Sequence, residues 1–303
     1  MVAELEGKVC VVTGAAFGIG RAIALACARA GADAVVVADL GSEARGGKRT
    51  ASDVCCAGEA AATFVSCDVS DGKAVAALME RAAREFGRID VVYANAGISG
   101  GGGWAHEVAD DDFARVLSVN LAGVFHTAKY ALPYLIETKG VIVNTASSFG
   151  MVGAHFCSSY AAAKGGVINL TRQLATDYGP LGVRVLAICP GFVGTVMGRT
   201  VPGLDSPHQL PQPTERRAGY KPVSAEAAEL RWANREAAAA MQPLPRQCAP
   251  SEIASAAIFL ASPAASFMTG TIVPVDGGCT ATIAGSDVQT NFASELARLQ
   301  SRL

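Results

Sequence analysis

The sequence predicts an α/β fold in which one parallel β-sheet is covered by helices on both faces. Three observations support this prediction. Seven short runs rich in β-branched residues alternate with helical patterns along the 303 residues. The first run is followed directly by a glycine-rich turn, and half of all residues are hydrophobic while 17% are charged. Such alternation is typical of a doubly wound sheet, whose ligands bind at the carboxyl ends of the strands.

The predicted elements follow one another with short connections. Strands are predicted at 9–13, 34–39, 63–67, 91–94, 141–146, 184–188 and 271–275. Helices are predicted at about 18–30, 48–60, 72–86, 110–136, 159–178 and 250–261. Because parallel neighbours need crossover connections, which these helices supply, we predict one doubly wound domain over residues 1–303 with a seven-stranded parallel sheet.

Two segments depart from this alternation. Residues 196–248 contain seven prolines and a helical pattern at 224–241. An excursion of this length is usually a functional loop or a disordered segment, and we interpret it as a loop that covers the substrate. The C-terminal extension, 279–303, has an apolar stripe at helical spacing, formed by Phe292, Leu296, Leu299 and Leu303. This stripe is expected to dock either on its own subunit or on a neighbouring one.

Composition excludes several classes of function. The net charge of −2 gives no electrostatic basis for binding nucleic acid or an anionic membrane. No apolar run reaches the ~18 residues of a membrane span, and residues 1–8 lack a secretory pattern. The nine cysteines include no Cys-x-x-Cys pair, so we expect reduced thiols, no metal site and a cytoplasmic location. A zinc-dependent alcohol dehydrogenase is thereby disfavoured.

The glycine-rich turn at 13–20 has the pattern of a dinucleotide-phosphate site. Gly14 allows the tight turn, Gly18 lets the backbone approach a pyrophosphate, and Gly20 lets helix and strand pack closely. The following helix would direct the positive end of its dipole at the phosphates. The pattern alone does not exclude an ordinary strand–helix turn, so the interpretation depends on motifs elsewhere in the chain.

A second pattern predicts acid–base chemistry. Tyr160 and Lys164 are four residues apart, which places them on the same face of a helix, and Ser147 precedes Tyr160 by thirteen residues. A nearby ammonium favours phenolate over phenol and so lowers the phenol pKa from ~10 toward the working pH. A general base for an alcohol requires this property. Taken alone, however, a Tyr-x-x-x-Lys pair is more often an ordinary helix surface.

These motifs, in this order, resemble those of the short-chain dehydrogenase/reductase family, specifically its NAD-preferring members with a long substrate loop. The resemblance covers residues 8–278. It rests on the segments 13–20, 68–69, 95–97, 160–164, 190–195 and 275–278, together with Asn120 and Ser147. One departure is Ala146, where a second serine often precedes the catalytic one. The resemblance implies a Rossmann-type domain and a hydride transfer between NAD and a secondary alcohol or ketone.

The resemblance also assigns catalytic roles. It implies that Tyr160 is the acid/base, that Lys164 lowers its pKa and binds the nicotinamide ribose, and that Ser147 orients the substrate oxygen. Asn120 would hold a water in a proton relay from Lys164. A catalytically silent dinucleotide-binding sensor or scaffold on the same fold is the alternative, because fold alone does not decide function.

The resemblance further implies a cofactor site and a substrate pocket. Asp39, at the end of the second strand, would bind the adenosine ribose and repel a 2′-phosphate, which predicts NAD rather than NADP. The remaining cofactor contacts are expected from Gly14, Phe17, Gly18, Ile19, Gly20, Leu40, Asp68, Val69, Asn95, Ala96, Gly97, Tyr160, Lys164, Pro190, Gly191, Val193 and Thr195. The expected pocket residues are Trp104, His155, Phe156, Phe192 and Met197, which suit a hydrophobic or cyclic substrate. A homotetramer is expected through the helices near 110–136 and 159–178 and through the last strand.

Overall fold

The computed structural model describes residues 4–100, 104–154, 156–195 and 242–281. Within these ranges seven parallel strands form one sheet in the order β3-β2-β1-β4-β5-β6-β7. The strands are β1 Val9–Thr13, β2 Ala34–Asp39, β3 Ala61–Ser66, β4 Val91–Ala94, β5 Val141–Thr145, β6 Arg184–Pro190 and β7 Ile272–Val275. The doubly wound parallel sheet predicted from the sequence is therefore confirmed.

The helices fall between the strands as the alternation predicts. They are α1 Gly18–Arg29, α2 Ala44–Ala57, α3 Gly72–Phe86, α4 Asp110–Leu117, α5 Gly123–Thr138, α6 Ser158–Tyr178 and α7 Pro250–Ala261. Two predicted helices differ from those observed. Helix α2 begins at Ala44 rather than at 48, and the predicted helix 110–136 is divided by a π-helical turn, Ser118–Ala122, between α4 and α5.

The core lies on both faces of the sheet, because side chains alternate between the two faces along each strand. On one face Val12 and Tyr93 pack beneath α1, α2 and α7. On the other face Val11 and Ile142 pack beneath α3, α5 and α6. A sheet covered on both sides encloses its central strands, and β1 and β5 are buried at every position.

The strand order positions the functional site. After β3 the chain crosses to the far side of β1, so that β1 lies between β2 and β4. At this reversal the connections from β1 and β4 leave the sheet on opposite faces, and a crevice opens at the carboxyl ends of the strands. The glycine-rich turn follows β1 directly and therefore lies at this crevice.

Part of the predicted substrate loop and most of the tail lie outside the described residues. This applies to 196–241, which includes the predicted helix 224–241, and to 282–303 with its apolar stripe. Residues 242–248 are described, and Cys248 forms a parallel bridge with Val193 beyond the end of β6. In the described part of the chain, no helix is both long and apolar enough to span a membrane. No grouping of three or more His, Cys, Asp or Glu side chains within those same residues is suited to hold a metal ion.

Candidate active site

The glycine-rich turn lies against the end of β4. Gly14 and Gly18 have positive φ angles of 65° and 55°, a conformation that glycine adopts without strain. A Cβ on Gly14 would lie 2.7 Å from the Cα of Ala96, and one on Gly18 would lie 3.3 Å from the Cγ2 of Thr195. The turn is therefore enclosed by the segments that follow β4 and β6. A side chain at Gly14 would collide with the backbone of Ala96, and one at Gly18 would crowd Thr195.

Asn95 ties three strand ends together. Its Nδ2 donates to the carbonyl oxygens of Thr13, at 3.0 Å, and Gly14, at 3.2 Å. Its Oδ1 accepts a hydrogen bond from the Thr145 hydroxyl at 3.3 Å, and the Thr13 hydroxyl in turn accepts from the backbone N–H of Asn95 and of Ala96. The amide thus fixes the carboxyl ends of β1, β4 and β5 relative to one another.

The first turn of α1 is suited to an anionic ligand. Phe17 is its N-cap residue, and a phenyl ring has no oxygen with which to cap the first backbone N–H groups. Its ring instead lies over α2, where a Cβ on Gly46 would come 2.5 Å from the Phe17 Cζ. The N–H groups of α1, including that of Ile19, are thus left for the kind of phosphate that helix N-termini bind.

Asp39 joins the end of β2 to the glycine-rich turn. Its Oδ2 accepts a hydrogen bond from Ala16 N at 2.8 Å, and its Oδ1 accepts one from Leu40 N at 2.8 Å. Burial raises the pKa of the Asp39 carboxyl, and the two N–H donors partly offset this effect. Glu43 lies nearby, and its pKa is raised by burial and by the charge of Asp39. Sequence reasoning missed this second carboxyl because it lies beyond the strand end.

Asp68 and Val69 follow β3. The Asp68 Oδ1 accepts hydrogen bonds from the backbone N–H of Ser70, at 2.9 Å, and from its hydroxyl, at 2.7 Å. Val69 is buried, and a Cβ on Gly123 would lie 2.7 Å from its Cγ2. The β3 end is thus packed against the start of α5, and both residues lie on the same edge of the sheet as Asp39.

Three of the four predicted catalytic side chains lie at the end of β5 and on α6, namely Ser147, Tyr160 and Lys164. Ser147 is buried just beyond β5, and its Oγ accepts a hydrogen bond from Phe149 N at 3.2 Å. Because the oxygen acts as acceptor in that bond, the hydroxyl proton is available for a different partner. Tyr160 and Lys164 lie one turn apart on α6, with the Lys164 Nζ 5.8 Å from the centroid of the tyrosine ring.

Lys164 is buried at the centre of this arrangement. Its Nζ donates to the Thr145 carbonyl oxygen at 2.6 Å, and burial lowers its pKa to about 8. The Cys189 thiol opposes this shift from the neighbouring strand β6 and accepts a hydrogen bond from Ser147 N. Burial in turn raises the pKa of Cys189 to about 11. Cysteine at this position has no sequence signal, since a thiol in a buried strand is usually only a small apolar group.

Asn120 lies in the π-helical turn and is fully buried. Its Nδ2 donates to the Ile98 carbonyl at 2.7 Å, and its Oδ1 accepts from Ile98 N at 2.8 Å. A Cβ on Gly97 would lie 2.8 Å from that Oδ1 and 3.6 Å from the Lys164 Nζ. Gly97 therefore separates the amide from the ammonium, and the three residues meet beneath the crevice.

Aromatic side chains surround the strand ends. Phe149 and Phe192 form an edge-to-face pair with centroids 5.8 Å apart, and Trp104 and Phe156 form another at 5.1 Å. The predicted pocket residues His155 and Met197 lie outside the described residues. Sequence reasoning missed Phe149, because it looked for pocket residues only beyond the short turn that contains it.

The segment after β6 is held by the C-terminal part of the chain. Pro190 ends β6, and a Cβ on Gly191 would lie 2.8 Å from the Cα of Asp276. Gly194 N donates to the Cys248 carbonyl at 2.9 Å. These contacts hold residues 191–195 across the glycine-rich turn.

Comparison with known proteins agrees with this geometry. The family model described as "short chain dehydrogenase" matches residues 8–203, and one described as "Enoyl-(Acyl carrier protein) reductase" matches residues 219–280. The chain is 42% identical over 275 residues to a cis-4-hydroxycyclohexanecarboxylate dehydrogenase from Sinomonas cyclohexanicum, covering 90% of this chain and 97% of that protein.

Two further relatives extend the comparison. A meso-2,3-butanediol dehydrogenase from Serratia marcescens is 39% identical over 278 residues, covering 92% of this chain and 96% of that protein. The crystal structure of levodione reductase superposes with a TM-score of 0.77 at 34% identity, covering 92% of this chain and all of that one. The chain therefore belongs to the short-chain dehydrogenase/reductase family, whose members are oxidoreductases that use a nicotinamide cofactor.

Proposed function

We propose that this protein is an NAD-dependent dehydrogenase of a hydrophobic or cyclic secondary alcohol, which also reduces the corresponding ketone. The observation that supports this proposal best is the buried Lys164, whose Nζ lies 5.8 Å from the Tyr160 ring at the carboxyl end of the sheet. Burial of a lysine is costly, and such a group is more often found where chemistry requires it. A protein that only sensed or scaffolded would have no need of a positioned phenol.

Each side chain has a distinct task in the proposed reaction. Ser147 donates its hydroxyl proton to the substrate oxygen, and Tyr160 takes the alcohol proton as general base. The Lys164 ammonium favours the phenolate form of Tyr160, and Asn120 supports a proton relay toward solvent. A bound NAD would supply the acceptor for the hydride of the carbinol carbon. In ketone reduction Tyr160 returns the proton as general acid.

The described residues fit a dinucleotide. Gly14 and Gly18 place no side chain where the turn meets the segments after β4 and β6, and we propose that the uncapped N–H groups of α1 face the pyrophosphate. We propose that Ile19 and Thr195 lie at the phosphate and nicotinamide ends, and that Asp68 and Val69 contact the adenine. Tyr160 and Lys164 would bind the nicotinamide ribose.

Preference for NAD over NADP is proposed from the charges at the end of β2. The Asp39 carboxylate accepts only one N–H on each oxygen and so retains lone pairs for the ribose hydroxyls. Asp39 and Glu43 together would repel a 2′-phosphate. Leu40 is 43% exposed beside them and offers no cation.

The proposal is tested by Tyr160→Phe. This change keeps the ring and removes only the hydroxyl, so turnover should fall by at least the ~10²–10⁴-fold that a positioned acid/base contributes. Affinity for NADH, followed by its fluorescence, should change little. The screen should use cyclic and open-chain secondary alcohols, read by NADH absorbance. Near-wild-type turnover in Tyr160→Phe would refute the assignment, and cofactor binding without turnover of any alcohol or ketone would favour the silent sensor.

We also propose that the whole chain acts as one domain and assembles into a homotetramer. An apolar groove of about 440 Å³ runs between α4, α5 and α6 and is lined by Leu117, Ser118, Leu121, Ala122, Phe125 and Leu170. Phe125 is 45% exposed there. Exposed apolar patches of this kind commonly mark protein interfaces, and a second copy of the same helices is the proposed occupant.

A further inference from the structure

Two aromatic rings, Trp104 and Phe156, form a corner that the proposed reaction does not by itself explain. Their centroids are 5.1 Å apart and their planes meet at 90°. Trp104 is 59% exposed and Phe156 is 50% exposed, so the pair presents apolar surface rather than burying it. We infer that this pair determines substrate specificity, selecting a ring-shaped secondary alcohol over an open-chain one. The inference rests on the proposed function and adds the residues that set the substrate class.

The pair lies next to the proposed acid/base. Phe156 is two residues before α6, which carries Tyr160 on its first turn. The loop that follows β4 crosses the same helix end, since a Cβ on Gly100 would lie 3.3 Å from the Ser159 Oγ. Trp104 lies after this crossing and meets the Phe156 ring from the other side. The aromatic corner therefore connects the β4–α4 loop to the segment just before Ser159 and Tyr160.

The backbone at Phe156 is strained. Phe156 has a φ angle of 62°, in the left-handed region where a residue with a Cβ costs roughly 1–2 kcal/mol. Of the described residues other than glycine, only Lys139 shares a positive φ, and it ends a helix, where this conformation is common. Phe156 ends no helix. Strained residues of this kind cluster at ligand-binding positions, where the surrounding structure holds them.

The shape of the corner favours a ring. Two perpendicular aromatic faces can contact adjacent sides of a cyclohexane ring at once, whereas a short open chain fills only one of them. Each additional methylene held in an apolar pocket changes the specificity constant by roughly 10–200-fold. The relatives include both a cyclohexane-based and an open-chain substrate in their names, so the family alone does not decide between these classes.

The test compares cyclohexanol with 2-butanol as substrates for Trp104→Ala and Phe156→Gly, with NAD in excess. Phe156→Gly removes the ring and also relieves the left-handed strain, so loss of folding is not expected. We expect kcat/KM for cyclohexanol to fall by about tenfold or more in either variant, while that for 2-butanol changes by less than about threefold. Phe267→Ala, which removes a fully exposed aromatic ring elsewhere, is the matched control and should change neither.

Equal losses for both alcohols, or no loss for either, would overturn the inference. So would a fall in oligomer mass in Trp104→Ala with unchanged selectivity, since the pair would then belong to an interface.

A measurement of binding separates this inference from the proposed function. The chain has two tryptophans, so Trp232→Phe leaves Trp104 as the single tryptophan, which can be excited selectively. A saturable response of Trp104 fluorescence to cyclohexanol but not to 2-butanol supports a ring site even if no alcohol is turned over. The absence of any response refutes it.

Discussion

Replacing Lys164 by methionine should abolish activity and yet stabilise the protein at neutral pH. Lys164 is buried and donates a hydrogen bond to the Thr145 carbonyl at 2.6 Å. Burial lowers its pKa from the ordinary 10.5 to about 8. Methionine has nearly the same length and no charge, so it fills the same space without the cost of burying an ammonium.

The magnitude follows from the pKa. Lowering the pKa of Lys164 from 10.5 to about 8 corresponds to a free-energy cost of about 3 kcal/mol for burying the ammonium. Below pH 8 the native state carries this whole cost, because its lysine is protonated. Loss of the hydrogen bond to Thr145 offsets about 1–2 kcal/mol of the gain. Lys164→Met should therefore be more stable than the wild type by about 1–2 kcal/mol at pH 6.5.

The sign of the pH dependence is fixed by proton binding. Between pH 8 and 10.5 the unfolded wild type binds more protons at this lysine than the native protein does, so wild-type stability rises with pH. The variant lacks this contribution, and its advantage should shrink by about 3 kcal/mol and reverse by pH 10.5. Urea unfolding of both proteins at several pH values measures this difference directly.

An exposed lysine provides the control. Lys48→Met, on the solvent side of α2, removes a charge that is not buried, so at pH 6.5 it should not gain the stability expected of Lys164→Met. A Lys164→Met variant that is less stable than the wild type at pH 6.5, or whose stability difference stays flat up to pH 10.5, would show that burial does not perturb this lysine as described. Activity should be absent in the variant at every pH.

Three further predictions follow from the same structure. Asp39→Asn keeps an acceptor for Ala16 N but removes the charge, so the ratio of kcat/KM for NADP to that for NAD should rise. Asp39→Ala serves for comparison. An unchanged ratio would exclude charge repulsion as the cause of a preference for NAD. Arg184 donates four hydrogen bonds to carbonyls at and beyond the end of α7. Arg184→Met should therefore lower the free energy of unfolding, measured in urea, by about 2–4 kcal/mol. A loss below about 1 kcal/mol would contradict this role. Phe125→Glu should reduce the mass measured by light scattering; an unchanged mass would place the oligomer interface elsewhere.

The fold could be predicted because its signal is spread over many residues. Runs such as those of β1, β2 and β4 are rich in valine, and their observed bounds equal the predicted ones. Helix α2 was misplaced at its start because Gly46 and Gly47 are poor helix formers. The structure explains both glycines, since side chains there would collide with the rings of Phe17 and Phe64. Tertiary packing has overridden local propensity in this helix.

The candidate site was only partly predictable from the sequence. The spacing of Tyr160 and Lys164 predicts one helix face, and the structure brings Ser147 and Asn120 to the same end of the sheet. The hydrogen-bond partners of Lys164 and Asn120 could not be predicted from the sequence. These partners are the backbone carbonyls of Thr145 and Ile98, and every residue type carries such a carbonyl. The π-helical turn that carries Asn120 was also invisible, since its residues fit an ordinary helical pattern.

Three features of the site share a physical character, which is that each is locally unfavourable. A buried ammonium at Lys164, a π-helical turn at Asn120 and a left-handed backbone at Phe156 would all be avoided by a sequence selected only for stability. All three meet around the carboxyl end of β5 and the start of α6, above central strands that are apolar along most of their length. Because local rules fail mainly where function imposes strain, this concentration of exceptions is itself evidence for the position of the active site. The same argument predicts that stabilising substitutions will be found most readily here, and that they will cost activity.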